Sequence, residues 1–309
     1  MALRKVVIVG ANGTLGPAIL NALIAANTFA VTVLSRHSST SKYPESVNVI
    51  SISNEPDTEE LAFALHGQDA IIVVFAGSLG DLQIRLADAA VRAGVRRFIP
   101  ADFGSCDSSS QRVLDLMPLY AEKKRVREHL QDLDSVSDMT WTSLICGHFF
   151  NYGLKSGLLQ FDIQSRKAKI FDGGDILWST STLETIALAV VRILQKEDET
   201  KNKLLYIQSL CITQNELLRS LERHSGEGWQ VEYVSSGEYI REVKAEVDKD
   251  PSNKERRVDL VSVVGIVDGN WQDKAGFANL LLGLGGENLD TLVKNALTTT
   301  GGYGTMPKT

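Results

Sequence analysis

The stretch Val6-Val7-Ile8-Val9-Gly10-Ala11-Asn12-Gly13-Thr14-Leu15-Gly16-Pro17 decides the fold. Four consecutive β-branched residues have the length and character of a strand covered on both faces. Pro17 suits the first position of a helix, where its missing N–H would have had no partner. The order is therefore strand, glycine loop, helix. Gly10 permits the tight turn, Gly13 lets backbone approach a pyrophosphate, and Gly16 lets the helix pack close to the strand. The unpaired N–H groups of the helix start then face the anion. Asn12, Thr14 and Leu15 complete the loop and join the three glycines as expected dinucleotide contacts. The glycines are spaced three and three, not the two and three of the commonest fingerprint, and a glycine-rich turn without ligand is the plainer alternative.

Outward from this loop, apolar runs alternate with amphipathic stretches, a rhythm that predicts βαβ units and a parallel sheet. Strands are expected at Val6–Val9, Val31–Leu34, Val47–Ile52, Ala70–Phe75, Arg97–Pro100 and Trp141–Cys146. Helices are expected at Pro17–Ala26, Glu59–His66, Leu82–Ala93 and Pro118–Leu133, where apolar residues recur at steps of three and four. Past residue 154 the rhythm loosens. Helical patterns remain at Leu183–Leu194, Gln214–Arg223, Ser236–Val247, Phe277–Leu284 and Leu289–Leu297, with a strand at Val231–Val234 and a charged linker at Asp248–Arg257. The tail Thr298–Thr309 is expected to fray. The expected fold is α/β: a doubly wound parallel Rossmann sheet over residues 1–154, completed by 178–212, with a smaller α/β substrate-binding cap from 155–177 and 213–309.

Composition narrows the class. The 309 residues are 43% hydrophobic and 23% charged, as in ordinary globular proteins, and a net charge of −6 gives no footprint for nucleic acid. Cys106, Cys146 and Cys211 lie far apart, without the spacing of a zinc site or a disulfide framework, so no metal is expected. No run approaches the roughly 20 apolar residues of a membrane span. A soluble cytoplasmic chain is expected, with no nucleic-acid or membrane partner, as a monomer or homodimer.

The second strand ends in Ser35-Arg36-His37-Ser38. A site for the unphosphorylated dinucleotide would place Asp or Glu there, whereas the Arg36 guanidinium suits a 2′-phosphate. NADP(H) is the expected cofactor; an arginine merely solvated at a strand end is the alternative, and Lys42 could add charge.

In the helix Pro118–Leu133, the residues Leu119, Val126, Leu130 and Leu133 form a stripe whose missing member is Lys123. Lys124 is expected on the polar side, with Tyr120, Arg127 and Gln131. An inward lysine loses hydration unless it meets a partner, and a partly desolvated amine is suited to proton transfer near neutral pH. A lysine that buries its stem and reaches water is the structural alternative.

The loop Gly10–Gly16, the run Ala93–Gly104, and Lys123-Lys124-Arg125-Val126-Arg127 followed by Thr140–Tyr152 carry a resemblance. The chain resembles the NmrA-like, isoflavone-reductase-like branch of atypical short-chain dehydrogenases, over nearly its whole length. Leu282-Gly283-Leu284-Gly285-Gly286 is similar to the fungal subgroup. In that family the lysine three residues before a Val-Arg pair is catalytic, which implies the role for Lys123. The family's Ser-Glu-Phe-Gly is here Ala101-Asp102-Phe103-Gly104, so a hydroxyl near the cofactor is missing. Tyr120 and Lys124 have the spacing of the tyrosine and lysine of ordinary short-chain dehydrogenases and stand as a second candidate pair.

The resemblance implies a hydride passed from NADPH to a small, aromatic or polyketide-like substrate carrying an enone, imine or benzylic ether, with Lys123 assisting protonation. Gly147, His148, Phe149, Phe150 and Tyr152 would line nicotinamide and substrate together with Phe103, and His148 is the histidine placed to add acid–base chemistry. Phe75 and Ala76 would border the adenine side. Packing in a core accounts equally well for any one of the aromatic residues, and a satisfied core histidine for His148. A redox-sensing regulator that binds the dinucleotide without turnover, and a redox-neutral cyclase or isomerase, are the competing functions.

Overall fold

The computed structural model describes residues 2–75, 79–225 and 228–298. In chain order its strands are β1 (Lys5–Val9), β2 (Ala30–Arg36), β3 (Asn48–Ile52), β4 (Ala70–Val73), β5 (Arg97–Ile99), β6 (Thr140–Ile145), β7 (His148–Phe149), β8 (Phe161–Asp162), β9 (Lys167–Phe171), β10 (Trp178–Ser181), β11 (Lys203–Tyr206), β12 (Leu210–Ile212) and β13 (Gln230–Val234). Its helices are α1 (Gly16–Ala25), α2 (Thr58–Leu65), α3 (Gly80–Arg92), α4 (Gln111–Leu116), α5 (Pro118–Asp134), α6 (Phe150–Ser156), α7 (Leu183–Gln195), α8 (Glu197–Thr200), α9 (Gln214–Ser225), α10 (Ser236–Lys249), α11 (Lys254–Val267), α12 (Asn279–Leu282) and α13 (Leu289–Thr298).

Seven strands form a parallel sheet in the order β3-β2-β1-β4-β5-β6-β11. Strands β2 and β3 extend to one side of β1, and β4, β5 and β6 to the other. The order reverses between β1 and β4, and at such a switch point the carboxyl ends of the strands open a crevice. Side chains of a strand alternate between faces, so a sheet covered on both sides needs apolar residues throughout. Val6 and Ile8 enter a core with α1 and α7, while Val7 and Val9 enter the opposite core with α2, α3 and α5. Each such fully buried side chain contributes about 1.5–3 kcal/mol. Arg97, fully buried, pins the far side by donating to Thr140, Thr142, Thr200 and the Glu197 carbonyl.

A second core gathers Phe150, Phe161, Phe171, Trp178, Leu217 and Val263. It lies among α6, α9, α10 and α11 and two three-stranded sheets, β12-β10-β7 and β13-β9-β8. Here the structure departs from the sequence reading. The expected charged linker Asp248–Arg257 runs into α11, which is capped by Asn253, whose side chain accepts from the Arg256 N–H. Leu260, Val263, Val264 and Ile266 are all buried, so the helix is apolar around much of its circumference and shows no amphipathic stripe. The polar stretch Gln164–Lys169 turns the β8–β9 hairpin and supplies the start of β9. Ala76 and the tail beyond Thr298 lie outside the described residues.

Candidate functional site

The glycine loop sits at the switch point. Gly10 has φ +92°, and a Cβ on it would come within 2.9 Å of the Val74 carbonyl carbon and oxygen, just beyond β4. A Cβ on Gly16 would lie 2.3 Å from the Gly10 carbonyl oxygen, so α1 rests directly on the loop that precedes it. Gly13 differs: its Cβ would stand 3.5 Å from the Gly10 oxygen, an ordinary contact, and the residue is exposed. The N–H of Gly13 closes the turn onto the Gly10 carbonyl at 3.2 Å. Leu15, at the N-cap, is buried and provides no side-chain cap, so the first N–H groups of α1 keep their donors free of a capping side chain. Thr14 is exposed, and exposed Asn12 donates to Ser41 at 2.8 Å, tying the loop to the segment that follows β2. Arg36 ends β2 on that side, exposed and without an ion-pair partner among the described residues.

The second group of residues lies at the carboxyl ends of β5 and β6. Helix α5 buries Tyr120, Lys123, Val126, Arg127 and Leu130. Lys123, 7% exposed, faces inward as the stripe predicts, and Lys124 stays half-exposed beside Glu128. The stripe itself is corrected. It runs through Tyr120 and Arg127, expected on the polar side, while Leu119 is 36% exposed. Arg127 is one turn beyond Lys123 and shares its face.

The Lys123 ammonium stands 5.1 Å from the centroid of the Tyr120 ring, a cation–π arrangement. A Cβ on Gly104 would be 2.9 Å from Lys123 Nζ and 3.4 Å from the Tyr120 hydroxyl. Gly104 is fixed by the Cys146 N–H, which donates to its carbonyl at 3.2 Å, and Ala101 by the Gln83 side chain at 2.8 Å. The Tyr120 hydroxyl lies 3.4 Å from Ser105 Oγ, and burial pushes the phenol well above its usual range. Burial likewise raises the Cys106 thiol to about 11 and the Cys146 thiol to about 12, which keeps both protonated.

Asp102, read in the sequence only as a departure from a motif, is 2% exposed and accepts from Arg127 Nη1 at 3.0 Å. Arg127 Nη2 also donates to Ser108 at 2.8 Å and Ser109 at 3.2 Å. Burial raises the Asp102 carboxyl; the positive charges of Lys123 and Arg127 and the Ser143 hydroxyl pull it the other way. Arg127 cannot give up its proton, so the carboxylate remains its counter-charge. Asp107 continues the network, accepting from Tyr206 at 2.8 Å, from Lys274 at 3.2 Å and from the Ser109 N–H at 2.8 Å. The signal for Arg127 and Asp102 was available in part: a residue four after an inward Lys123 must also face inward.

The remaining expected residues divide by exposure. Phe103 and Phe149 are partly buried on the core that contains Leu15 and α7, Phe75 borders the opposite core, and Tyr152 is half-buried with its phenol raised by burial. These rings keep open edges. Phe150, expected to line the substrate, does not: at 1% exposure it packs inside the second core. Gly147 has φ +71° and abuts the Ser179 carbonyl so closely that a Cβ would overlap it. His148 is 2% exposed, edge-on to Trp178, and its Nε2 is 3.1 Å from the Ser262 carbonyl, so that nitrogen carries the proton. Burial lowers the imidazole to about 4 and keeps it neutral. Among the described residues no group of His, Cys, Asp and Glu could hold a metal ion, and no helix is long and apolar enough to cross a membrane.

Comparison with known proteins places this arrangement. The model of the NmrA-like family matches residues 3–255. The chain is 31% identical to oxidoreductase aprR of Aspergillus flavus over 300 residues, covering 95% of this chain and 98% of the relative. In fold it is similar to a crystal structure of isoflavone reductase, with TM-score 0.77 and 22% identity, covering 95% and 99% of the two chains. It is also similar to a structure of AtPrR2 with NADP+ and (+)pinoresinol, with TM-score 0.76 and 21% identity over 95% and 98%. With its glycine loop at the switch point and a match across most of its length, the chain belongs to the NmrA-like family.

Proposed function

We propose that the chain is an NADPH-dependent reductase of a small, aromatic or polyketide-like metabolite that carries an enone, imine or benzylic ether. One observation carries the reading: on a helix crowded with charge, Lys123 alone of the three consecutive cations Lys123, Lys124 and Arg125 is buried, with its ammonium against Gly104 at the carboxyl end of the sheet. The residues present fit the dinucleotide. Gly10 and Gly16 occupy positions where a Cβ would collide with backbone, Gly13 is exposed with room for only an ordinary contact, and α1 begins without a side-chain cap. The oxidoreductase name of the fungal relative and the NADP+ held by a solved neighbour support the same assignment.

When bound, NADPH supplies the hydride. The loop Gly10–Gly16 and the first N–H groups of α1 hold the pyrophosphate, with Asn12, Thr14 and Leu15 shaping the turn, and Arg36 pairs with the 2′-phosphate. Phe103, Phe149 and Tyr152 give the substrate an apolar wall, and residues 155–177 and 213–309 act as its cap. Lys123 Nζ donates a hydrogen bond or a proton to the substrate oxygen on which negative charge develops. The Tyr120 ring supports that ammonium, and neutral His148 holds β7 to α11.

The test follows NADPH absorbance with a panel of enones, imines and benzylic ethers, for the wild type and for Lys123→Ala. The expected variant keeps NADPH affinity and loses at least 100-fold in turnover, the scale of a general acid. Full turnover in Lys123→Ala would remove the lysine from the chemistry. Tight NADPH binding without oxidation of any substrate would instead make the chain a dinucleotide sensor.

A further inference from the structure

We infer that Asp102 and Arg127 form a clamp that sets both the height and the charge of the Lys123 ammonium; the inference rests on the reading of Lys123 as the acid. The geometry is a register between two elements. After β5 the backbone advances two residues from Asp102 to Gly104, about 6.6 Å in extended chain, and along α5 four residues, a rise of about 6 Å, separate Arg127 from Lys123. Asp102 meets Arg127 at 3.0 Å, and Gly104 meets Lys123, where a Cβ would lie 2.9 Å from Nζ. The two contacts run antiparallel, one step apart. Sliding the segment along the helix breaks the ion pair, so the pair fixes which backbone atoms lie beside the ammonium. Both members are buried, with side chains 6% and 3% exposed, and an ion pair in that setting is lost as a unit when one partner is removed.

Charge is the second half. The Lys123 ammonium faces the Tyr120 ring of its own helix, and its charge acts on Asp102 from the end of β5, on Cys106 from the loop beyond, and on Cys146 after β6. The phenol and both thiols are neutral because burial raises them. Burial raises the Asp102 carboxyl too, but Arg127 at 3.0 Å holds it as the anion and is itself the competing cation. Asp107 and Tyr206 act on Asp102 from farther out, and Asp107 is itself held by Lys274. Asp102 and Arg127 are thus positioning residues with opposite electrostatic signs at one amine.

The experiment labels the folded protein with acetic anhydride across a pH series and reads acetylation of Lys123 by peptide mass spectrometry. It uses Asp102→Asn, Arg127→Met and the double variant. Removing the anion should move the pH of half-labelling down by about one unit or more, and removing the cation should move it up. In the double variant the effects oppose, its midpoint falls between those of the single variants, and neither member of the ion pair is left buried without the other. Shifts of the same sign in both single variants, or a midpoint unmoved in Asp102→Asn with its melting temperature intact, would overturn the clamp. Where substrate is in hand, the basic limb of kcat should follow the labelling midpoint. A limb that stays put while the midpoint moves leaves the clamp standing and removes Lys123 from the role of acid.

Discussion

Lys123 Nζ lies so close to Gly104 that a single methyl group on that residue would stand 2.9 Å from it. The neighbour that must yield is the far end of a flexible side chain, with the Tyr120 ring next at 3.4 Å, so the fold tolerates the change while the ammonium does not. Gly104→Ala should therefore fold, with a stability loss within about 1 kcal/mol, and lose roughly 10–100-fold in kcat through displacement of the acid. Thermal melts and steady-state kinetics on one preparation check it. Wild-type kcat in a folded variant would sink the assignment.

The three loop glycines are separable by the same reasoning. Gly10→Ala and Gly16→Ala place a Cβ against backbone, the former at φ +92°, and each should cost about 1–3 kcal/mol. Gly13→Ala adds a methyl in ordinary contact and should melt with the wild type, yet raise the Kd for NADPH tenfold or more, because the methyl points where the pyrophosphate must approach. Calorimetric titration beside a melt separates the two classes; unchanged NADPH affinity in Gly13→Ala would contradict the loop's role.

Arg36 projects into solvent at the end of β2, next to the loop that Asn12 ties down through Ser41. A charge-assisted hydrogen bond is worth about 1.5–3 kcal/mol. Arg36→Ala should weaken NADPH by roughly 10–100-fold and leave NADH unchanged, and Arg36→Asp should reverse the preference. Equal losses for both cofactors would mean that the arginine does not read the phosphate.

His148 gives an acid limb to stability. Its imidazole titrates at about 4 in the fold, against about 6.5 in an unfolded chain, because burial disfavours the cation. Between these values the unfolded chain binds the proton and the native protein does not. The native state therefore has its full stability above pH 6.5 and loses it progressively as pH falls toward 4, by roughly 3 kcal/mol at full extent. Urea unfolding at pH 7.5 and pH 5 should show the loss in the wild type and a smaller one in His148→Asn, which is less stable at neutral pH because it loses the bond to Ser262. An identical pH slope in both proteins would refute this account.

The first half of the fold was legible because strands buried on both faces must be mostly apolar, as the buried runs Val6–Val9 of β1 and Ala70–Val73 of β4 are. Lys123 was legible for a related reason: a cation on an inward stripe breaks a pattern. Its supporting cast was legible only in part. Arg127 looks like a surface residue until Asp102, 25 residues earlier, is brought beside it, and helical periodicity carries no information about that meeting. The role of His148 depended on a carbonyl 114 residues away, at Ser262. Helix α11 escaped because its buried half is apolar nearly all round, and Phe150 could not be told from its neighbours Phe149 and Tyr152, since only tertiary packing decides which ring is sealed.

The seventh strand of the sheet has a consequence for anyone who would re-engineer the chain. β11 arrives at Lys203–Tyr206, after β7 to β10 have built part of the other core, and α7 covers the face of α1 that includes Ile19 and Leu23. A gene fragment ending near residue 154 would leave β6 as a bare edge and α1 with greasy residues facing water, an invitation to self-association. Transplanting the second core from a relative thus needs two splice junctions, one on each side of the returning α7–β11 segment, and must carry Lys274 along to meet Asp107 across 167 residues of chain.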